Sequence, residues 1–204
     1  MRKNQDVFTI KNGRVKMRNG GYKTTEDAVL LAGVAKARGA VSVLDVGVGA
    51  GGVALAMLDD NPKLKVAALD ISDEMLSRTW VNALLNERDV EMILADIMKW
   101  KTSRLFDVVV TNPPYSSGTP RKDNAHHNAD IFGWISACAK RVRARGFLHA
   151  IVATDVLDKV IAALVASKFG GIELRMIGVG GKVSRVVVSA RKGVATPLKI
   201  MNNE

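Results

Sequence analysis

The sequence predicts an α/β fold: a mostly parallel sheet covered by helices on both faces. Three observations predict it. Runs rich in Val, Ile and Leu, apolar without alternation, read as strands buried on both sides, as in parallel sheets. Segments with apolar residues at helical spacing separate most of these runs, so strand and helix alternate along the chain. The last two strands have no helix between them and must therefore run antiparallel to each other. A chain of 204 residues suits one such domain with a substantial core.

The elements follow in order. "VFTIKNGRVKMRN" over 7–19 alternates around Asn12-Gly13, a hairpin-turn pair. "TTEDAVLLAGVAKARG" over 24–39 opens on Thr and acids, runs apolar at helical spacing and stops at Gly39. Then come a strand "VSVLDVG", a helix "GGVALAMLDD", a strand "LKVAALD", and a helix "SDEMLSRTWVNALLN" with Ser72 as N-cap. Strands "VEMILA" and "LFDVVVT" precede a helix expected over 129–144, "ADIFGWISACAKRVRA". A strand "GFLHAIVA" and a helix "DVLDKVIAALVASKFG" lead to the closing pair "GIELRMIGV" and "VSRVVVSA". Seven strands belong to the sheet. The chain divides into a basic extension with its hairpin, 1–23, and a core domain, 24–204. Ligands of such sheets bind beyond the carboxyl ends of the strands.

Composition bounds the partners. The formal charge of +10 is uneven. Residues 1–23 carry Arg2, Lys3, Lys11, Arg14, Lys16, Arg18 and Lys23 against Asp6 alone. "AKRVRAR" adds Lys140, Arg141, Arg143 and Arg145, and residues 182–199 add five cations, Arg185 among them, with no acid. Such clusters point to a polyanion, most simply nucleic acid. No signal-peptide h-region follows Met1, and the apolar stretch "AVLLAGVA" is too short for a membrane span. A lone Cys138 within a helical pattern reads as core in a cytoplasmic, reducing compartment. Trp80, Trp100 and Trp134 read as packing residues.

The chemistry gathers at strand ends. "LDVGVGAGG" leaves the first buried strand and opens a helix; Gly47, Gly49, Gly51 and Gly52 permit a tight turn close to a ligand. Asp70 ends the next strand, placed to accept ribose hydroxyls, and Asp96 ends the one after. Asp45, just before the loop, would repel a pyrophosphate. It would favour S-adenosylmethionine, which carries a sulfonium and an ammonium and no phosphate.

"VTNPPY" closes "LFDVVVT". Pro113 and Pro114 have no N–H, and Asn112 is pushed to an extended conformation. The side-chain oxygen of Asn112 and a proline carbonyl can accept both hydrogens of a planar exocyclic amine, favouring its pyramidal, nucleophilic geometry. Tyr115 offers a face on which a base can stack.

This arrangement resembles the class I S-adenosylmethionine-dependent methyltransferases that methylate amines: adenine N6, cytosine N4 or a glutamine amide. "NGGYKTTEDAVLLAG", "NALLN", "ADIFGWISACAKRVRARG" and the tail from "SKFGG" are similar to the valine-tRNA adenine-N6 methyltransferase family, over roughly 8–198. The resemblance implies a Rossmann-like fold and methylation of a tRNA adenine, at position 37 of a valine tRNA. It implies that Asp27, Ile71 and Ile97 join Asp45, Gly47, Gly49, Gly51, Asp70, Asp96 and Asn112 at the cofactor, with Asn112, Pro113, Pro114 and Tyr115 catalytic. The chain departs from the family at Lys23, Glu26 and Ser116, where Arg, a small hydroxyl residue and Phe are usual.

For the RNA, the expected contacts are Lys11, Arg14, Lys16, Arg18, Lys23 and Arg185, with His126 and His127 in the polar stretch after the catalytic motif. Two adjacent histidines without a cysteine make a poor metal site, and none is expected. A monomer is favoured. The alternatives are a glutamine methyltransferase of a protein, a DNA amino-methyltransferase, and a non-catalytic nucleotide-binding module; the intact "NPPY" beside an intact glycine loop argues against the last.

Overall fold

The computed structural model describes residues 7–18, 26–35, 39–114, 130–179 and 182–201. Strands β1 (Val7–Ile10) and β2 (Val15–Arg18) form the hairpin. Its register pairs Ile10 with Val15, so the connection is four residues, with Lys11, Asn12 and Gly13 all at positive φ. Helix α1 is Glu26–Val34, followed by β3 (Ser42–Val46), α2 (Gly52–Asp60), β4 (Lys65–Asp70), α3 (Asp73–Leu85) and β5 (Glu91–Leu94). Then come β6 (Phe106–Thr111), α4 (Ile131–Lys140), β7 (Val142–Ala153), a 3₁₀ turn (Thr154–Val156) and α5 (Leu157–Ala166). The chain closes with β8 (Phe169–Val179), β9 (Lys182–Lys192) and β10 (Lys199–Met201).

The main sheet has the order β10-β8-β9-β7-β6-β3-β4-β5. Strands β3 to β7 pair in parallel, and β9 is antiparallel to both neighbours. The sheet therefore has eight strands where seven were expected. The extra one, β10, adds three residues to the β8 edge in a stretch with too little apolar pattern to read as a strand. A second correction concerns 141–144, expected as helix. Helix α4 stops at Lys140 and β7 begins at Val142, because Val142 is needed against Phe106 and is fully buried. Helical spacing in "AKRVRA" is overridden by that tertiary contact.

Strand alternation divides the core between two faces. Leu44, Val46, Val109, Leu148, Ala150 and Val188 face α4 and α5, with Ile135, Cys138 and Leu164 packed on them. Val43, Val108, Val110, Ile151 and Val187 face α1, α2 and α3. The hairpin belongs to the second core: Val15 and Met17 are buried in it, while Lys16 and Arg18 point out. Cys138 is buried and free, and burial pushes its thiol pKa up. Of the tryptophans, Trp134 packs in the core, Trp100 is half-buried, and Trp80 is 53% exposed on α3, against the expectation that it packs. Among the described residues no helix is long and apolar enough to cross a membrane.

Candidate functional site

Register lines up the strand ends. Val46 pairs with Thr111 and with Leu69, and Asp70 with Leu94. Gly47, Asn112 and Asp70 therefore leave three adjacent strands side by side, about 5 Å from one strand to the next. The glycine loop and the Asn112-Pro113 segment, 65 residues apart in sequence, open on one row.

The loop is built on backbone contacts. The amides of Gly47 and Val48 donate to the Leu69 carbonyl, at 2.8 and 3.2 Å. Gly47 and Gly51 have φ of 71° and 87°. A Cβ on Gly51 would lie 3.0 Å from the Thr79 methyl, and one on Gly47 3.3 Å from the Trp134 ring. Both positions need glycine for conformation and for space. Helix α3 grips the loop from outside: Thr79 donates to the Gly49 carbonyl at 2.8 Å and Asn82 to the Ala50 carbonyl at 2.9 Å. Asn82 also accepts from the Arg18 amide at 2.8 Å, and Asn86 accepts from the Lys16 amide at 2.8 Å. One helix thus ties the hairpin to the glycine loop.

The aspartates differ in setting. Asp70 accepts from the Gly49 amide through Oδ2 at 3.1 Å and from the Ser72 amide through Oδ1 at 3.0 Å. It is half-buried, and each oxygen retains a lone pair toward solvent. Asp45 is buried, with Oδ2 accepting from the Ala54 amide at 3.0 Å. Burial raises its pKa from 3.8 to about 7; the Ala54 hydrogen bond opposes the rise and the charge of Asp70 adds to it. Its other oxygen has no hydrogen-bond partner among the described residues. A cation above the loop would satisfy it, so Asp45, Asp70 and the open side of the loop fit S-adenosylmethionine. Asp96 accepts from the Met98 amide at 2.9 Å, shaping the turn after β5. Ile71 is exposed beside Asp70, whereas Ile97 is buried in the core with Trp134.

At the end of β6, the buried Thr111 donates to the Val46 carbonyl at 2.9 Å and accepts from Trp134 Nε1 at 3.0 Å. Asn112 is half-buried, Pro113 buried and Pro114 exposed. Tyr115, His126, His127 and Lys23 lie outside the described residues. Asp27 is buried in the first turn of α1 and forms an ion pair with Arg185 of β9, so these two expected ligand residues meet each other. Lys11 is 9% exposed and binds Asp59 at 3.1 Å, Asp60 and the Ala56 carbonyl; Arg14 binds Asp59 at 3.0 Å. Both fasten the hairpin to the end of α2, where cations also suit the helix dipole.

Sequence reasoning missed Thr79, Thr111 and Trp134. The signal for Thr79 was a polar residue on the apolar face of α3 that carries Leu76 and Ala83. Thr111 and Trp134 become recognisable only once β6 and α4 are packed.

Residues 25–176 match the family described as the methyltransferase small domain. The chain is 27% identical over 148 residues to a tRNA1(Val) (adenine(37)-N6)-methyltransferase of Glaesserella parasuis, covering 68% of this chain and 63% of that protein. A relative of the same name from Bacteroides thetaiotaomicron is 27% identical over 196 residues, covering 89% and 80%. A release factor glutamine methyltransferase of Flavobacterium psychrophilum is 34% identical over 84 residues, covering 41% of this chain and 30% of that one. The chain therefore spans less than two thirds of the length of some of the curated relatives it matches. Among solved structures, a predicted O-methyltransferase from Agrobacterium tumefaciens aligns with a TM-score of 0.69 at 27% identity, over 85% of this chain and 84% of that one. A Thermus thermophilus 16S rRNA N2 G1207 methyltransferase with AdoMet and guanosine aligns at 0.65 and 18% identity, over 87% and 47%, a likeness of fold alone.

Proposed function

Since the chain belongs to the methyltransferase small domain family, S-adenosylmethionine-dependent enzymes of class I fold, we propose that it methylates the N6 amine of an adenine in tRNA. Position 37 of a valine tRNA is the first substrate to test, on the names of relatives that cover two thirds or more of this chain. The observation that carries the reading is the Asn112-Pro113-Pro114 end of β6, which leaves the sheet beside Gly47.

S-adenosylmethionine supplies an electrophilic methyl group when bound. Asp70 accepts the ribose hydroxyls, and Asp45 below the loop balances the positive end of the cofactor. Asp96 and the exposed Ile71 complete that side. The Asn112 side-chain oxygen and the Pro113 carbonyl accept the two hydrogens of the adenine amine. Holding both draws the nitrogen toward its pyramidal geometry, an effect greatest in the transition state. Tyr115 stacks on the base, which a single-stranded loop presents at least unstacking cost. The methylated amine is acidic and loses its proton to water without a dedicated base. Lys16, Arg18, Lys23, His126 and His127 contact RNA, whereas Arg185 is engaged by Asp27. Lys11 and Arg14 serve it indirectly, by fixing the hairpin.

A second reading has its own observation. Release factor glutamine methyltransferases match at higher identity over shorter segments, up to 42% over 74 residues, and a glutamine amide offers the same two hydrogens. Labelled cofactor offered with tRNA, DNA and release factor in separate reactions distinguishes them. Label in tRNA supports the first reading, label in release factor alone the second, and label in DNA alone contradicts both.

A further inference from the structure

The far end of the sheet carries a second basic surface, and what it binds rests on the RNA reading above. Between the pairs Phe106–Val142 and Val108–Phe147 the register jumps, so two steps along β6 answer five along β7. The segment "RARG", 143–146, is thereby looped out at the amino end of the strands. Its base is anchored: Arg143 Nε lies 2.6 Å from Asp107 Oδ1, while Asp107 Oδ2 accepts the amides of Val41 and Ser42 at 2.7 and 2.8 Å. Its tip is not. Arg145 is exposed at a φ of 61°. Left-handed backbone is costly for a residue with a Cβ, and glycine avoids that cost. An arginine kept there argues for a use of its side chain.

Its neighbours share the character. Lys140, exposed at the end of α4, and Arg145 have no acidic partner among the described residues. Arg191 pairs in register with Phe147 and donates from Nε to the Arg145 carbonyl at 3.0 Å. Its guanidinium carbon lies 5.2 Å from the centroid of the Phe147 ring, which is 38% exposed. A cation on a partly open ring is a platform on which a nucleobase can stack. From Phe106, level with this surface, to Asn112 is six residues, about 20 Å along the strand. RNA held here is therefore gripped about that distance from the methylated base.

We propose that the Arg143–Arg145 loop, Lys140 and the Phe147–Arg191 platform form a second RNA-docking surface, gripping backbone phosphates remote from the methylated base. The test is Lys140→Gln with Arg145→Gly in the full chain. Glycine keeps the left-handed turn, so the variant folds with a melting temperature no lower than that of the unmodified protein and keeps its cofactor affinity. Its tRNA binding is expected to weaken several-fold. The plot of log affinity against log salt should become shallower by about 1.4–1.8, the share of two phosphate contacts. Unchanged tRNA affinity and slope overturn the surface and leave the proposed reaction standing. Lost methylation of release factor with tRNA binding intact assigns it to a protein and overturns it too. A protein that binds no tRNA before substitution removes the RNA reading itself, and this surface with it.

Discussion

Asp45 carries the clearest pH signature in the molecule. Its pKa is raised from 3.8 to about 7, so between those values the fold holds a proton that the unfolded chain has released. The buried His149, its pKa lowered by burial from 6.5 to about 4, contributes stability that rises with pH over about 4–6.5, whereas the Asp45 share of the cofactor-free protein's stability should fall as pH rises from about 4 to about 7 and level off above. Cofactor affinity should move the other way, because a cation favours the ionised carboxylate. Calorimetry across pH 5–8 checks the affinity, which Asp45→Asn should make flat, and in thermal melts the stability of the unmodified protein relative to Asp45→Asn should fall up to about pH 7. Affinity independent of pH in the unmodified protein would remove Asp45 from the cofactor's surroundings. At Asn112 the expectation is kinetic. Asn112→Ala should lower turnover by ~10²-fold with cofactor affinity intact, the scale for losing one preorganised polar partner. A loss confined to KM would mean that Asn112 binds substrate without assisting the reaction. These residues were legible in sequence because their chemistry is local: a carboxylate before a glycine loop, and an asparagine before two residues without an N–H.

The elements supply what the local motifs could not show. Thr111 and Trp134 join the end of β6 to β3 and to the underside of Gly47. Thr111→Val removes the hydroxyl that links the Val46 carbonyl to the Trp134 indole in the core. Losing that link is expected to cost about 1–3 kcal/mol on denaturant titration. Thr111→Ser keeps the hydroxyl and should recover most of that loss. If valine is tolerated as well as serine, the hydroxyl is not what joins these strands. Asn82 makes a similar link between hairpin and glycine loop. Such contacts pair residues 23 to 65 positions apart, and sequence periodicity carries no information about them. The same limit explains the misread start of β7, where helical spacing in "AKRVRA" yields to the burial of Val142 against Phe106. It explains β10 as well, an edge strand that needs no apolar alternation because it is exposed along most of its length. Trp80 was misjudged because helical spacing alone does not say which face of α3 meets the sheet.

For the molecule as a whole, the net charge of +10 was legible from composition, but its arrangement was not. The basic residues of β9 divide between two ends of the sheet. Lys182 and Arg185 lie toward the cofactor loop, whereas Arg191 and Lys192 lie beside the loop at 143–146. Part of the charge is also spent internally, on Asp59 and Asp60 by the hairpin and on Asp27 by Arg185. The fold and the meeting of the strand ends followed from pattern because an alternating α/β chain forces those ends together. The substrate did not, since tRNA adenine and protein glutamine offer the same pair of amine hydrogens. The most direct test of the central claim is mass spectrometry of nucleosides from tRNA after reaction with the purified protein and S-adenosylmethionine. The account predicts N6-methyladenosine, absent when Asn112→Ala replaces the unmodified protein. Methylation at a ring carbon or a ribose oxygen would contradict it, because those atoms carry no amine hydrogens for Asn112 and Pro113 to hold.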